Sequence, residues 1–128
     1  MYPVRDVLDR GIIAAGGSDS PVTSFNPLLG IHGAVNRKSS TGQDVGGNQR
    51  IGVLEAIKLF TWNGAYASFE ENIKGSIEIG KLLADLVVLN GAILDVPTDQ
   101  IKDMQVDYKI IGGKVVFQKE SNDILSKY

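Results

Sequence analysis

An aspartate set in Gly16-Gly17-Ser18-Asp19-Ser20-Pro21 carries the clearest chemical potential in this chain. A carboxylate in a polar loop can bind a divalent cation, orient a water molecule and take its proton. It can equally be a turn residue whose side chain caps the local backbone, a frequent role for Asp after Gly-Ser. Ser18 could serve as a nucleophile only beside a base, and the one histidine, His32, falls within an apolar helical pattern. Ser18 therefore reads as a loop hydrogen-bonder. His32 has no partner at ligand spacing and reads as a packed or surface helix residue. Arg37 and Lys38 could face an anionic substrate group, but a solvated helix end, where cations complement the C-terminal dipole, is the commoner explanation. Gly16-Gly17 could cradle a phosphate, yet no G-x-x-x-x-G-K-[ST] pattern surrounds it. Phe60 and Trp62 extend a helical apolar stripe and read as core rather than as a binding platform.

The elements that must position Asp19 follow from hydrophobic period and punctuation. Ile12-Ile13-Ala14-Ala15 is a short, continuous apolar run bounded by glycine, the pattern of a strand buried on both faces. It sets Ser18 and Asp19 just beyond a strand's C-terminal end, where α/β folds carry active sites. Before it, Pro3 opens a short helix with Val4, Val7 and Leu8 on one face and Gly11 as its stop. After it, Asn26-Pro27 starts a helix: the Asn side chain caps free N–H groups and Pro has none to lose. Leu28, Leu29, Ile31, Ala34 and Val35 give that helix an apolar face. Residues 37–47 show no periodicity and read as a loop. A further helix is expected from about Asn48, with Val53, Leu54, Ile57 and Phe60 at helical spacing, continuing with breaks through Ala65 and Ala67.

After Gly75 the period becomes strand-like. Leu86-Val87-Val88-Leu89 is one candidate, and Val106, Tyr108 and Ile110 alternate against Asp107 and Lys109. Ile110-Ile111-Gly112-Gly113-Lys114-Val115-Val116-Phe117 is a hairpin with a Gly-Gly turn, since glycine accepts positive φ. Residues 119–128 form a polar tail with Ile124 and Leu125 as a small apolar patch that docks or frays.

Composition bounds the function classes. With 128 residues, 43% hydrophobic and 22% charged, the chain suits one globular domain. Thirteen basic against 15 acidic side chains leave a net charge of −2, which gives no field favouring nucleic acid or an anionic membrane. The absence of cysteine removes disulfides, thiolate metal sites and cysteine nucleophiles. No apolar run approaches the ~20 residues of a membrane-spanning helix. The opening Met1-Tyr2-Pro3-Val4-Arg5-Asp6 lacks signal-peptide character, so a cytoplasmic location is expected.

A single parallel-type strand has no sheet to join, which makes the chain read as a portion of something larger. Gly17-Ser18-Asp19-Ser20-Pro21-Val22, Asn26-Pro27-Leu28 and Ala34-Val35-Asn36-Arg37 occur in the order seen in amidohydrolases. Glu55-Ala56-Ile57, Thr61-Trp62-Asn63-Gly64-Ala65, Gly75-Ser76-Ile77-Glu78, Gly80-Lys81, Ala84-Asp85-Leu86-Val87-Val88-Leu89 and Ile111-Gly112-Gly113-Lys114-Val115-Val116 continue that order. Over roughly residues 3–118 the chain thus resembles the C-terminal portion of a metal-dependent amidohydrolase, similar to the group that includes formamide deformylase-like proteins.

The resemblance implies an α/β plus β fold: the last strand and helices of a TIM-type (β/α) barrel, then C-terminal strands of a small β-sandwich. Residues 1–74 would be the barrel remnant, with Ile12-Ile13-Ala14-Ala15 as its last strand, and residues 75–118 the sandwich strands and hairpin. A full barrel needs ~250 residues, so this chain cannot hold one. The resemblance also implies that Asp19 is both a metal ligand and the group that accepts a proton from the metal-bound water attacking the C–N carbonyl carbon. It implies a divalent metal, zinc first, in the complete enzyme and none held by this chain alone. The substrate would be a small amide or formamide-like molecule, its contacts coming from loops outside this chain. Two departures stand out: Gly80-Lys81-Leu82-Leu83-Ala84-Asp85 carries one extra leucine, which predicts a bulge or lengthened turn near Leu82 or Leu83, and Tyr108-Lys109 replaces an expected small polar residue. The alternative reading is a non-catalytic β-rich interaction or oligomerisation module. Under either, the unpartnered strand predicts exposed apolar surface, met by homo-oligomers or by the missing barrel portion.

Overall fold

The computed structural model describes residues 2–120, so nearly all of the expected polar tail, with Ile124 and Leu125, lies outside the described residues. Helix α1 spans Val4–Asp9 and α2 spans Pro27–Asn36. The Asn26 carboxamide accepts the Leu28 N–H at 3.0 Å, and Pro27 opens the helix as its type and position require. Helices α3, Val53–Leu59, and α4, Trp62–Ala67, follow. The helix expected from Asn48 begins later. Gly47–Gln49 is a 3-10 turn, and the Glu55 carboxylate accepts the Gly52 N–H at 3.0 Å, which fixes the start of α3 at Val53. Of the expected apolar face, Val53, Ile57 and Phe60 pack against the core and Leu54 is exposed, while Ala56 and Leu59 are the fully inward positions.

Residues 12–15, expected as a strand, belong to no sheet among the described residues. A parallel ladder needs neighbouring strands, and the described residues supply none. Ile12 and Ile13 remain 54% and 44% exposed. The segment is tied to its neighbours by three bonds: the Ile12 N–H donates to the Val7 carbonyl at 3.2 Å, the Asn63 Nδ2 donates to the Ala14 carbonyl at 2.8 Å, and the Gly16 N–H donates to the Leu59 carbonyl at 2.9 Å.

Strands β1 (Leu86–Leu89), β2 (Val106–Ile111) and β3 (Lys114–Gln118) form an antiparallel sheet in that order. Gly112 and Gly113, at φ +57° and +79°, make the tight turn of the β2–β3 hairpin. Register shifts fall between Val88 and Leu89 and between Lys109 and Ile110. Near the extra leucine there is a turn at 79–80 and a bend at Leu82, with no ladder. The second sheet that a sandwich requires is not among the described residues, and Val87, Val88, Ile111, Val115 and Phe117 stay exposed.

One apolar core holds the chain together. Leu28, Ile31 and Val35 of α2 meet Ile51, Ala56 and Leu59, and the cluster is completed by Ile101 and Met104. Those last two sit in and just after a 3-10 helix, Thr98–Asp103, that lies between β1 and β2 in the chain and packs on α2. The Asn36 Nδ2 donates to the Thr98 carbonyl at 2.7 Å beside this contact. The core therefore draws residues from both sides of position 75.

Candidate functional site

Residues 16–26 form the loop that carries Asp19. Its path is stitched by its neighbours: the Ser20 N–H donates to the Ser18 Oγ at 3.2 Å, the Thr23 hydroxyl donates to the Ser18 carbonyl, and the Val22 N–H donates to the Asp19 carbonyl at 2.9 Å. The Ser20–Pro21 peptide is cis. Asp19 itself sits at φ +55°, in the left-handed region. Aspartate enters that region with the help of a local side-chain hydrogen bond. Here the exposed carboxylate takes no hydrogen bond from the described residues; Ser18 does the local capping. Ser18 is thus a loop hydrogen-bonder through its Oγ and its carbonyl.

Beneath the loop lies a depression of about 260 Å³, walled by Gly17, Ser18, Thr23, Ser24, Leu29 and Phe60 among others. The Phe60 ring is its floor. A Cβ built on Gly16 would meet that ring at 2.7 Å and one on Gly30 at 2.5 Å, so the ring is wedged between the loop and α2. Phe60 is partly buried and packs against the core cluster, as its place in the stripe suggests. Trp62 is not part of that cluster: it stacks on Tyr66 with ring centroids 5.2 Å apart, and the Lys58 ammonium lies 4.9 Å from its ring.

The other sequence candidates resolve into structural roles. Arg37 is the left-handed C-cap of α2, its N–H on the Gly33 carbonyl at 2.9 Å and its Nε on the Gly46 carbonyl at 3.3 Å. Lys38 is exposed and forms an isolated backbone bridge with Asp44. The loop after α2 is further fixed by Arg50, which pairs with Asp44 at 2.6 Å and donates to the Asn36 carbonyl at 2.9 Å. His32 lies on α2 with its Nδ1 3.2 Å from the Asn36 amide nitrogen. Two features escaped sequence reasoning: the Phe60 wedge and Asn63, 5% exposed in the core. The signal for Asn63 was a polar residue at an inward helical position between Trp62 and Ala65.

Among the described residues, no three His, Cys, Asp or Glu side chains are grouped so as to share a metal ion. Catalytic zinc takes three protein ligands and a water. The carboxylate of Asp19 suits one ligand position by its chemistry, and the described residues offer no set that completes it. No helix among them is long and apolar enough to cross a membrane.

The profile described as the Amidohydrolase family matches residues 1–117. The chain is 36% identical over 118 residues to amidohydrolase YtcJ of Bacillus subtilis (strain 168), covering 90% of this chain and 22% of that protein. It is 30% identical over 119 residues to the N-substituted formamide deformylase of Arthrobacter pascens, covering 93% of this chain and again 22% of the relative. A crystal structure of an amidohydrolase from Thermotoga maritima MSB8 superposes with a TM-score of 0.69 at 26% identity, over 91% of this chain and 26% of that one. The chain thus spans 22–26% of the length of these three proteins. With a family profile covering residues 1–117 and a solved relative that shares its fold, the chain belongs to the amidohydrolase family.

Proposed function

We propose that this chain supplies one catalytic carboxylate, Asp19, to a hydrolase of non-peptide carbon–nitrogen bonds whose remaining site groups lie outside it. The observation that carries the reading is the state of that carboxylate: exposed, held at φ +55° by a loop stitched through Ser18 and Thr23, and engaged by no local donor. In this reading residues 12–15 take the place of the last strand of a (β/α) barrel, and β1 to β3 are half of a small β-sandwich. The exposure of Ile12 and Ile13 and the exposed sheet both support it. A divalent metal, zinc first, would polarise the substrate carbonyl and acidify water when bound through Asp19 and ligands from elsewhere. Asp19 orients the attacking water, takes its proton as the C–O bond forms, and returns it to the departing nitrogen. The substrate class is a small amide or formamide. The reading places the protein in the cytoplasm.

The test is metal content together with an amidase and formamidase screen, on this chain alone and on the chain joined to the preceding portion that its relatives possess. The expected result is an inert, metal-free chain and an active, metal-loaded complete protein that loses activity in Asp19→Asn. Full turnover by the 128 residues alone would overturn the reading. A second reading, a non-catalytic module that associates through its sheet, is favoured by the exposure of Val87, Ile111 and Phe117. It requires an inert complete protein and a self-associating chain.

A further inference from the structure

Asn63 is the buried polar residue of the core among the described residues. Its Nδ2 donates to the Ala14 carbonyl at 2.8 Å, while its Oδ1 is shut away from solvent without a partner. A buried amide with an unmet oxygen is a costly occupant of a position that an apolar side chain could fill. Its one bond reaches the backbone five residues before Asp19. The neighbouring turn grips the same segment: the Leu59 carbonyl accepts the Gly16 N–H at 2.9 Å, and the Phe60 ring fills the space against Gly16. From Gly16 onward the Ser18 and Thr23 bonds fix the path to Asp19.

We propose that Asn63 is a positioning residue for Asp19, setting through the Ala14 carbonyl the height and direction of the segment that presents the carboxylate. This rests on Asp19 being the catalytic carboxylate. The elbow between α3 and α4 does the work that a neighbouring strand would do on one side of residues 12–15, and it does so with a bond that has direction, which apolar packing lacks. Positional errors well under the length of a bond change the reactivity of a catalytic group.

The test is Asn63→Leu, which keeps the branched outline of the side chain and removes both the donor and the unmet oxygen. If Asn63 only fills the core, this variant leaves the site unchanged and holds or raises the Tm. The proposal expects the Tm of the chain to hold while amide exchange at Gly16 and Val22 accelerates at least about tenfold relative to the core amides of Ile31 and Ala56. In the protein completed with its barrel portion it expects kcat to fall about tenfold or more with KM within about twofold. Asn63→Gln, which retains the amide on an arm one carbon longer, gives the same pattern to a lesser degree and serves if the leucine variant does not fold. Unchanged exchange at Gly16 and Val22, or accelerated exchange with kcat intact, overturns the proposal. If the complete wild-type protein neither binds metal nor hydrolyses amides, the catalytic reading of Asp19 fails, and the Asn63 proposal fails with it even where exchange shows the clamp to exist.

Discussion

Arg5 of α1 grips Glu55 of α3 at two points, Nη1 to Oε2 at 2.7 Å and Nη2 to Oε1 at 3.2 Å, joining the first helix to the first turn of α3. The same carboxylate caps α3 through the Gly52 N–H, so Glu55 serves two contacts at once. Hydrogen bonding to Arg5, then to Gly52, holds its carboxyl below the usual glutamate range. The folded-state pKa lies below the unfolded value, so this stabilisation is complete above about pH 4.3, the unperturbed glutamate value. It is lost as pH falls through the lower folded value. Glu55→Gln is expected to reduce stability by about 1 kcal/mol at pH 7, since the pair is largely solvent-screened, and by less at pH 3. Urea melts at the two pH values check this, and an equal loss at both would remove the linkage.

Two glycines of α2 predict opposite outcomes. Gly33 has open space where a Cβ would go, so Gly33→Ala gains helix propensity and stabilises by about 0.5–1 kcal/mol. At Gly30 the same change sets a Cβ 2.5 Å from the Phe60 ring, which cannot retreat because Gly16 abuts it as well. Gly30→Ala is expected to destabilise by about 1–3 kcal/mol. Thermal melts of the two variants side by side decide it; a gain at Gly30 would show that the wedge yields freely.

Phe69 follows α4 at φ +62° with its ring 92% exposed. A non-glycine residue in that region carries strain of about 1–2 kcal/mol, and so exposed a ring gives little packing in return. Phe69→Gly is expected to stabilise the chain by about 0.5–1 kcal/mol after the added unfolded-state entropy of glycine. A lower denaturation midpoint would reveal a packing partner for the ring.

Ile101 is fully buried although it lies between two strands of an exposed sheet. Ile101→Ala is expected to cost about 2–5 kcal/mol. Because its contacts are with α2, the loss should be seen simultaneously by the Trp62 fluorescence and by β-sheet circular dichroism. Two separate transitions would mean that the halves unfold independently.

Local chemistry was legible where residue type fixes geometry. Asn26-Pro27 announced a helix start and Gly112-Gly113 a hairpin, because a side-chain cap and positive φ are properties of single residues. The period of residues 86–89 and 106–117 gave three strands, each within a residue or so of its observed ends. Asp19 was visible as a loop carboxylate, but its freedom from local bonding depends on Ser18 and Thr23 taking those roles, which no spacing rule encodes. The continuous apolar run at 12–15 describes what a segment can bury, while a strand also needs a neighbour to bond, which the described residues do not hold. The inward turn of Ala56 in place of Leu54, and the docking of Ile101 on α2, are tertiary choices made by distant partners.

The 3-10 helix between β1 and β2 also sets an order of assembly. The β2–β3 hairpin closes across Gly112 and Gly113 alone and can form on the ~1–10 μs scale of isolated hairpins. Strand β1 must wait for residues 90–105 to close behind it, and that closure is rewarded once Ile101 reaches α2. The expected order is therefore a late completion of the sheet, its first strand in sequence being the last to pair, with the rate set by the helical core to which it is tethered.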